Sequence, residues 1–219
     1  MSEDAYRTVT KMTTGLYKDR GSKFIGYLFP VETEEQFHKM LQKIKNEHFK
    51  ARHHCTAIRL RSGLERASDD GEPSGSAGKP MLNQLLSADI VDVGAVCVRY
   101  FGGTKLGVSG LIAAYKGAVA EAVNMTDIVI RYETTNLTIK FDYSVMGTLL
   151  DTLKQLNVEV SEKLFNESPS VVVRINQSEV PAYITHIKAQ MIGRPTEDIT
   201  ADDEIPGVTF GESNDSSDD

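Results

Sequence analysis

The stretch from Ser68 to Tyr115 constrains this chain more than any other. It opens with an acidic, glycine-rich loop, Ser68-Asp69-Asp70-Gly71-Glu72-Pro73-Ser74-Gly75-Ser76-Ala77-Gly78-Lys79-Pro80. A later apolar run, Val93-Gly94-Ala95-Val96-Cys97-Val98-Arg99-Tyr100, passes directly into Phe101-Gly102-Gly103-Thr104-Lys105-Leu106-Gly107-Val108-Ser109-Gly110. An apolar run of this length, bounded by turn residues, reads as a strand buried on both faces. Glycine supplies backbone conformations that other residues resist. Two such loops around one short helix and one central strand specify more backbone than a core needs, so the stretch reads as a functional surface.

The flanking pattern supplies the scaffold. Tyr6–Tyr17 alternates loosely as a strand, Lys18-Asp19-Arg20-Gly21 is a turn, and residues 22–31 form a second strand, making a hairpin. Thr33 and Gln36 form a capping box ahead of a helix with Phe37, Met40, Leu41 and Ile44 on its apolar stripe. His53–Arg61 is a third strand, Pro80–Ala88 a short helix and Ile90–Tyr100 the central strand. A helix then runs to Asn124, and Asp127–Arg131 closes a first domain, 1–132. Residues 133–210 read as a second domain: strand Thr135–Tyr143, a helix capped by Ser144, strands Val158–Leu164 and Ser170–Ile175, helix Glu179–Ile192 ended by Gly193, and a strand near Val208-Thr209-Phe210. That order, β-α-β-β-α-β, is the ferredoxin-like one. Residues 211–219 read as a disordered acidic tail.

Charge separates the halves. Residues 1–132 carry 18 Lys and Arg against 15 Asp and Glu, a balance of +3, whereas 133–219 carry 6 against 16, a balance of −10. A polyanion is therefore drawn to the first half and repelled by the second. No apolar run approaches the roughly 20 residues of a membrane span, so no membrane association is expected. Met1-Ser2-Glu3-Asp4 lacks the apolar core of a signal peptide. The two cysteines, Cys55 and Cys97, lie in predicted strands, which fits buried thiols in a reduced, cytoplasmic protein.

Several residue sets in the key stretch carry possible chemistry. Glycine turns at Gly102, Gly103, Gly107 and Gly110, with Ser109 and Lys105, put backbone N–H groups at a strand end and a helix start, an arrangement suited to anions. The P-loop pattern fails, because Val108-Ser109 stands where Lys-Ser/Thr is required. The same glycines serve equally for tight helix–strand packing. Asp69, Asp70 and Glu72 are candidates for Mg²⁺ binding or general acid–base work, or else bond their own turn. Ser74, Gly75, Ser76 and Gly78 leave bare backbone for a ligand or a facing loop. His53 and His54, on opposite faces of a strand, suit polar contacts near the loops better than zinc, since no second ligand pair exists. Arg99, Tyr100, Lys79 and Lys105 form a cationic and aromatic set fit for phosphate or single-stranded nucleic acid. Arg99 could instead pair with Asp69, Asp70 or Glu72. No metal and no cofactor are expected.

The segment Asp69–Pro80, followed by Arg99–Gly107, closely resembles the signature of the IMPACT family in its bacterial, YigZ-like branch. Ser22-Lys23-Phe24-Ile25 and His53-His54-Cys55-Thr56-Ala57 resemble that family too. Ser76 replaces the usual Thr and keeps the hydroxyl, whereas Ala113 stands where the family usually has Arg and loses a charge. The resemblance implies an α+β protein. Its first domain would share the α/β fold of RNase PH and a ribosomal-protein domain, with a left-handed βαβ crossover. Its second would be ferredoxin-like, similar to domain five of elongation factor G. Eukaryotic relatives regulate translation through protein partners. The expectation is a non-enzymatic, translation-associated regulator that binds RNA or a ribosome-associated partner, with no DNA sequence readout. The alternatives are a Mg²⁺-dependent enzyme or binding protein for a phosphorylated small molecule, and a purely protein-binding regulatory module.

Overall fold

The structure, a computed structural model, describes residues 4–213. It divides into two compact units, one spanning Tyr6–Arg131 and the other taking in the chain from Tyr132 together with the residues up to Ala5. Asp4 and Ala5, expected in the first domain, thus group with the second unit.

The first unit is built on a five-stranded sheet. In chain order its elements are β1 (Ala5–Val9), β2 (Thr13–Asp19), β3 (Ser22–Pro30), α1 (Glu34–Glu47), β4 (His53–Arg59), β5 (Glu65–Ser68), α2 (Gly78–Ser87), β6 (Val93–Tyr100), α3 (Gly107–Asn124) and β7 (Ile128–Tyr132). The sheet order is β2-β3-β6-β4-β5, and β1 pairs separately with β7. Every neighbouring pair in the five-stranded sheet is antiparallel. The apolar run read as central is β6, buried from Val93 to Arg99 between β3 and β4.

Side chains alternate across a strand, and β6 uses both faces. Val96 and Val98 join Tyr27, Phe29 and Ile58 under Phe37, Leu41 and Ile44 of α1. Ala95 and Cys97 join Phe24, Leu28 and Cys55 under Met81 and Leu85 of α2 and the Leu111–Ala122 face of α3. The sheet is therefore a middle layer, with α1 on one side and α2 and α3 on the other. Close approach of α3 depends on glycines beneath it: a Cβ on Gly26 would lie 2.6 Å from the Ala118 carbonyl oxygen.

The second unit has the order β8 (Thr134–Phe141), α4 (Met146–Gln155), β9 (Glu159–Leu164), β10 (Ser170–Asn176), α5 (Val180–Ile192), β11 (Val208–Ser213), with a sheet order β11-β8-β10-β9. Its own core packs Leu137, Ile139, Val171 and Val173 against Leu149, Leu153 and Ile187. No helix of the described residues is long and apolar enough to cross a membrane.

Four local readings differ from the sequence. Tyr6–Tyr17 is two strands, because β1 leaves to pair with β7 while β2 forms the hairpin with β3. β5 was not expected; all four of its residues are exposed, so it lacks an apolar period. Ser144 sits in a short 3₁₀ turn, and α4 starts at Met146 without a side-chain cap. Gly211, Glu212 and Ser213, expected in a disordered tail, continue β11 against β8; the remainder of that tail lies outside the described residues. Thr33 caps the helix as expected, with Gln36 N–H donating to Thr33 Oγ1 at 3.2 Å, but the return bond of the box shifts by one residue: Gln36 Oε1 accepts from the Glu32 N–H at 2.8 Å.

Candidate functional site

The acidic loop is organised by its own carboxylates. Asp69 Oδ1 accepts from the N–H groups of Ala77 and Gly78 at 2.9 and 2.8 Å, and its Oδ2 accepts from Gly75 N–H at 2.7 Å. Burial pushes the Asp69 carboxyl up, but the three N–H donors outweigh it and hold the group below its ordinary value. Asp70 Oδ2 accepts from the His54 N–H at 2.6 Å. The Asp70 carbonyl, which can only accept, lies 2.7 Å from His53 Nδ1, so that nitrogen carries the proton. Burial lowers the His54 pKa, against the pull of Asp70.

Glu72 turns the other way and joins the loop to the sheet. Its Oε1 accepts from Arg99 Nη1 at 2.6 Å and from the Tyr115 hydroxyl at 2.8 Å. The Glu72 side chain is 4% exposed and that of Arg99 9%. Of the sequence alternatives for Arg99, the buried ion pair is the one the structure holds. Its guanidinium lies 5.4 Å from the Phe24 ring centre and 5.6 Å from that of Phe101. Behind this cluster, burial pushes the Cys55 thiol up to about 12 and raises Tyr115 and Cys97 further from reach. Both thiols are free, buried and poorly disposed to react.

The second glycine loop is locked to the β2–β3 turn. Gly102 N–H donates to Ser22 Oγ at 3.1 Å. A Cβ on Gly102 would fall 1.9 Å from the Gly21 carbonyl carbon, so only glycine fits there. Gly107, at φ +74°, starts α3. Tyr100 is fixed by its hydroxyl, 2.8 Å from His48 Nδ1, whose Nε2 lies 2.5 Å from the Tyr27 hydroxyl.

Between the end of β6, the start of α3 and the segment entering β4 lies a cleft of about 870 Å³. Lys50, Arg52 and Lys105 line it, together with His53, Tyr100 and Phe101, and Leu106, Val108 and Leu111 form an apolar wall. Its single carboxylate, Glu72, is already neutralised by Arg99. Three cations are thereby left without an opposing charge in the lining.

Among the residues singled out from sequence, His53, Glu72, Arg99, Tyr100, Lys105 and Gly107 meet at this cleft. Lys79 is exposed on α2 and does not line it, nor do Ser109 and Gly110. Asp69, Asp70, His54, Gly102 and Gly103 lie outside the lining, as do Ser74, Gly75, Ser76 and Gly78. Lys50 and Arg52 were missed, although Lys50-Ala51-Arg52-His53 is a basic cluster at a strand entrance. Phe101, at the head of the glycine loop, also lines the cleft, and nothing in the sequence separates it from the loop that follows. Among the described residues, no group of three or more His, Cys, Asp or Glu side chains could hold a metal ion.

Residues 20–123 match the family model described as the Impact N-terminal domain. "IMPACT family member YvyE" of Bacillus subtilis is 37% identical over 164 residues, covering 74% of this chain and 76% of the relative. An "IMPACT family member" of Haemophilus influenzae is 34% identical over 180 residues, covering 79% and 86%. A crystal structure of a hypothetical protein superposes with a TM-score of 0.64 at 28% identity, over 82% of this chain and 89% of that one.

Proposed function

Because this chain belongs to the IMPACT family, we propose that it is a translation-associated regulator that binds RNA or a ribosome-linked surface through the cleft at the end of β6. The carrying observation is the lining: Lys50, Arg52 and Lys105 converge beside exposed aromatic surface, and the one carboxylate there is consumed by Arg99. Such a surface attracts phosphate and tolerates any base sequence. The translational part of the reading comes from the family resemblance. In the same reading the first unit has the RNase PH-like fold: β3 and β4 both run antiparallel to β6 and are joined through α1, which would be the left-handed crossover. The second unit is ferredoxin-like, supported by the order β11-β8-β10-β9 around α4 and α5. The protein works in the cytoplasm.

A Mg²⁺-dependent reaction at the acidic loop is less well supported. Asp69 spends both carboxylate oxygens on backbone N–H groups, Asp70 Oδ2 takes the His54 N–H, and Glu72 Oε1 takes both Arg99 and Tyr115.

The test is binding of purified protein to labelled RNA and to ribosomes across a salt series. Three phosphate contacts on a single strand give a log–log slope of about −2. Charge reversal at Lys50, Arg52 and Lys105 together abolishes binding, while Lys79→Ala leaves affinity within about twofold, as expected for a contact that is not made. Absence of salt-dependent binding to either probe defeats the proposal.

A further inference from the structure

The rim of the cleft narrows the ligand class, on the assumption that the cleft binds RNA at all. Phe101 is 58% exposed, a large apolar ring presented to solvent. Its surroundings are nonetheless fixed on two sides. The residue after it, Gly102, is pinned to Ser22 and has no room for a side chain beside Gly21. Beneath the ring lies the Arg99 guanidinium, 5.6 Å from its centre. Arg99 is in turn fixed by the buried Glu72 carboxylate and backed by the Phe24 ring. The guanidinium thus attracts the ring from one side, while most of the ring stays open to solvent.

Lys105 and Arg52 line the same cleft, with Lys50 beside them. A nucleotide chain presents charge on its phosphates and a flat apolar face on each unstacked base. The rim offers the complement to both within one cleft. A duplex offers the phosphates but keeps its base faces stacked inside, out of reach of Phe101. We infer that the cleft selects single-stranded RNA, with Phe101 stacking on one base and the cations holding the flanking phosphates. Arg99 is then a positioning residue that orients Phe101, and its own charge is held by Glu72.

The test measures full-length protein against a short labelled polyuridine strand and against an RNA duplex of equal length, each over a salt series. Wild type is expected to favour the single strand. Phe101→Ala should weaken single-strand binding about tenfold, within the range measured for loss of one stacked base. Its salt slope should not change, because no phosphate contact is removed. Phe101→Trp should retain or improve affinity. Phe101→Leu, which keeps apolar bulk without an aromatic face, should behave like alanine and so separates stacking from folding. Equal affinity of Phe101→Ala and wild type for polyuridine, or duplex binding as tight as single-strand binding, overturns this inference while leaving the cationic cleft standing. Loss of all salt-dependent binding in the wild type removes the cleft reading itself, and this inference with it.

Discussion

Asp69 shows how much of the acidic loop is architecture. One carboxylate gathers three N–H groups across Gly75, Ala77 and Gly78, and so sets the path by which the loop enters α2. A carboxyl held below its ordinary value adds stability that is fully present above the unfolded value of about 3.9. That stability is lost as the pH falls through the depressed folded value. Asn in this place offers one acceptor oxygen and no charge. Asp69→Asn should therefore lower the urea midpoint at neutral pH, and the gap to wild type should close as the pH is taken below about 4. Parallel curves down to acid would show that Asp69 contributes nothing through its charge. Glu72 makes a similar point about Arg99. The sequence leaves this arginine free to meet either a ligand phosphate or one of three carboxylates, since their separation along the chain is silent about distance. Burial decides: a cation this enclosed is tolerable only beside a fixed negative charge, and Glu72 supplies it at 2.6 Å.

At the scale of elements, α1 is joined to the sheet by more than its apolar stripe. His48, just past its last turn, links Tyr27 of β3 to Tyr100 of β6. Tyr100→Phe keeps the ring and strands a largely enclosed ring nitrogen of His48. It should cost about 1–2 kcal/mol, read as a fall in urea midpoint at unchanged slope. No loss would mean that solvent replaces the hydroxyl. The elements most legible in the sequence are those whose burial is periodic: β6 with its continuous apolar run, α1 with its stripe and cap, β8 with its alternation. What escaped was set by partners rather than by pattern. β5 is a polar edge strand recognisable only from its pairing with β4. The break between β1 and β2 reflects a change of sheet, which loose alternation cannot announce. The cleft was half legible for the same reason. Arg99, Tyr100 and Lys105 stand beside a glycine loop that draws attention, whereas the basic Lys50-Ala51-Arg52 run lies far from that loop in sequence and only the fold brings it to the cleft.

For the molecule as a whole, the division of charge matches a division of cores. The unit with the cleft carries two apolar clusters around one sheet, and the acidic unit carries a third around its own. Leu153 is 1% exposed in that third cluster, packed among residues of the second unit alone. Leu153→Ala should cost about 2–5 kcal/mol there through lost burial and the cavity left behind. Cores that share no residues are expected to lose structure in distinct cooperative steps. Hydrogen exchange on the variant should then show faster opening from β8 to β11 and unchanged protection along β3, β4 and β6. Its affinity for polyuridine should stay within about twofold of wild type, because none of the cations lining the cleft is touched. Collapse of protection in both units together would show instead that the chain folds as one cooperative body, and that the cleft depends on the acidic half for its shape.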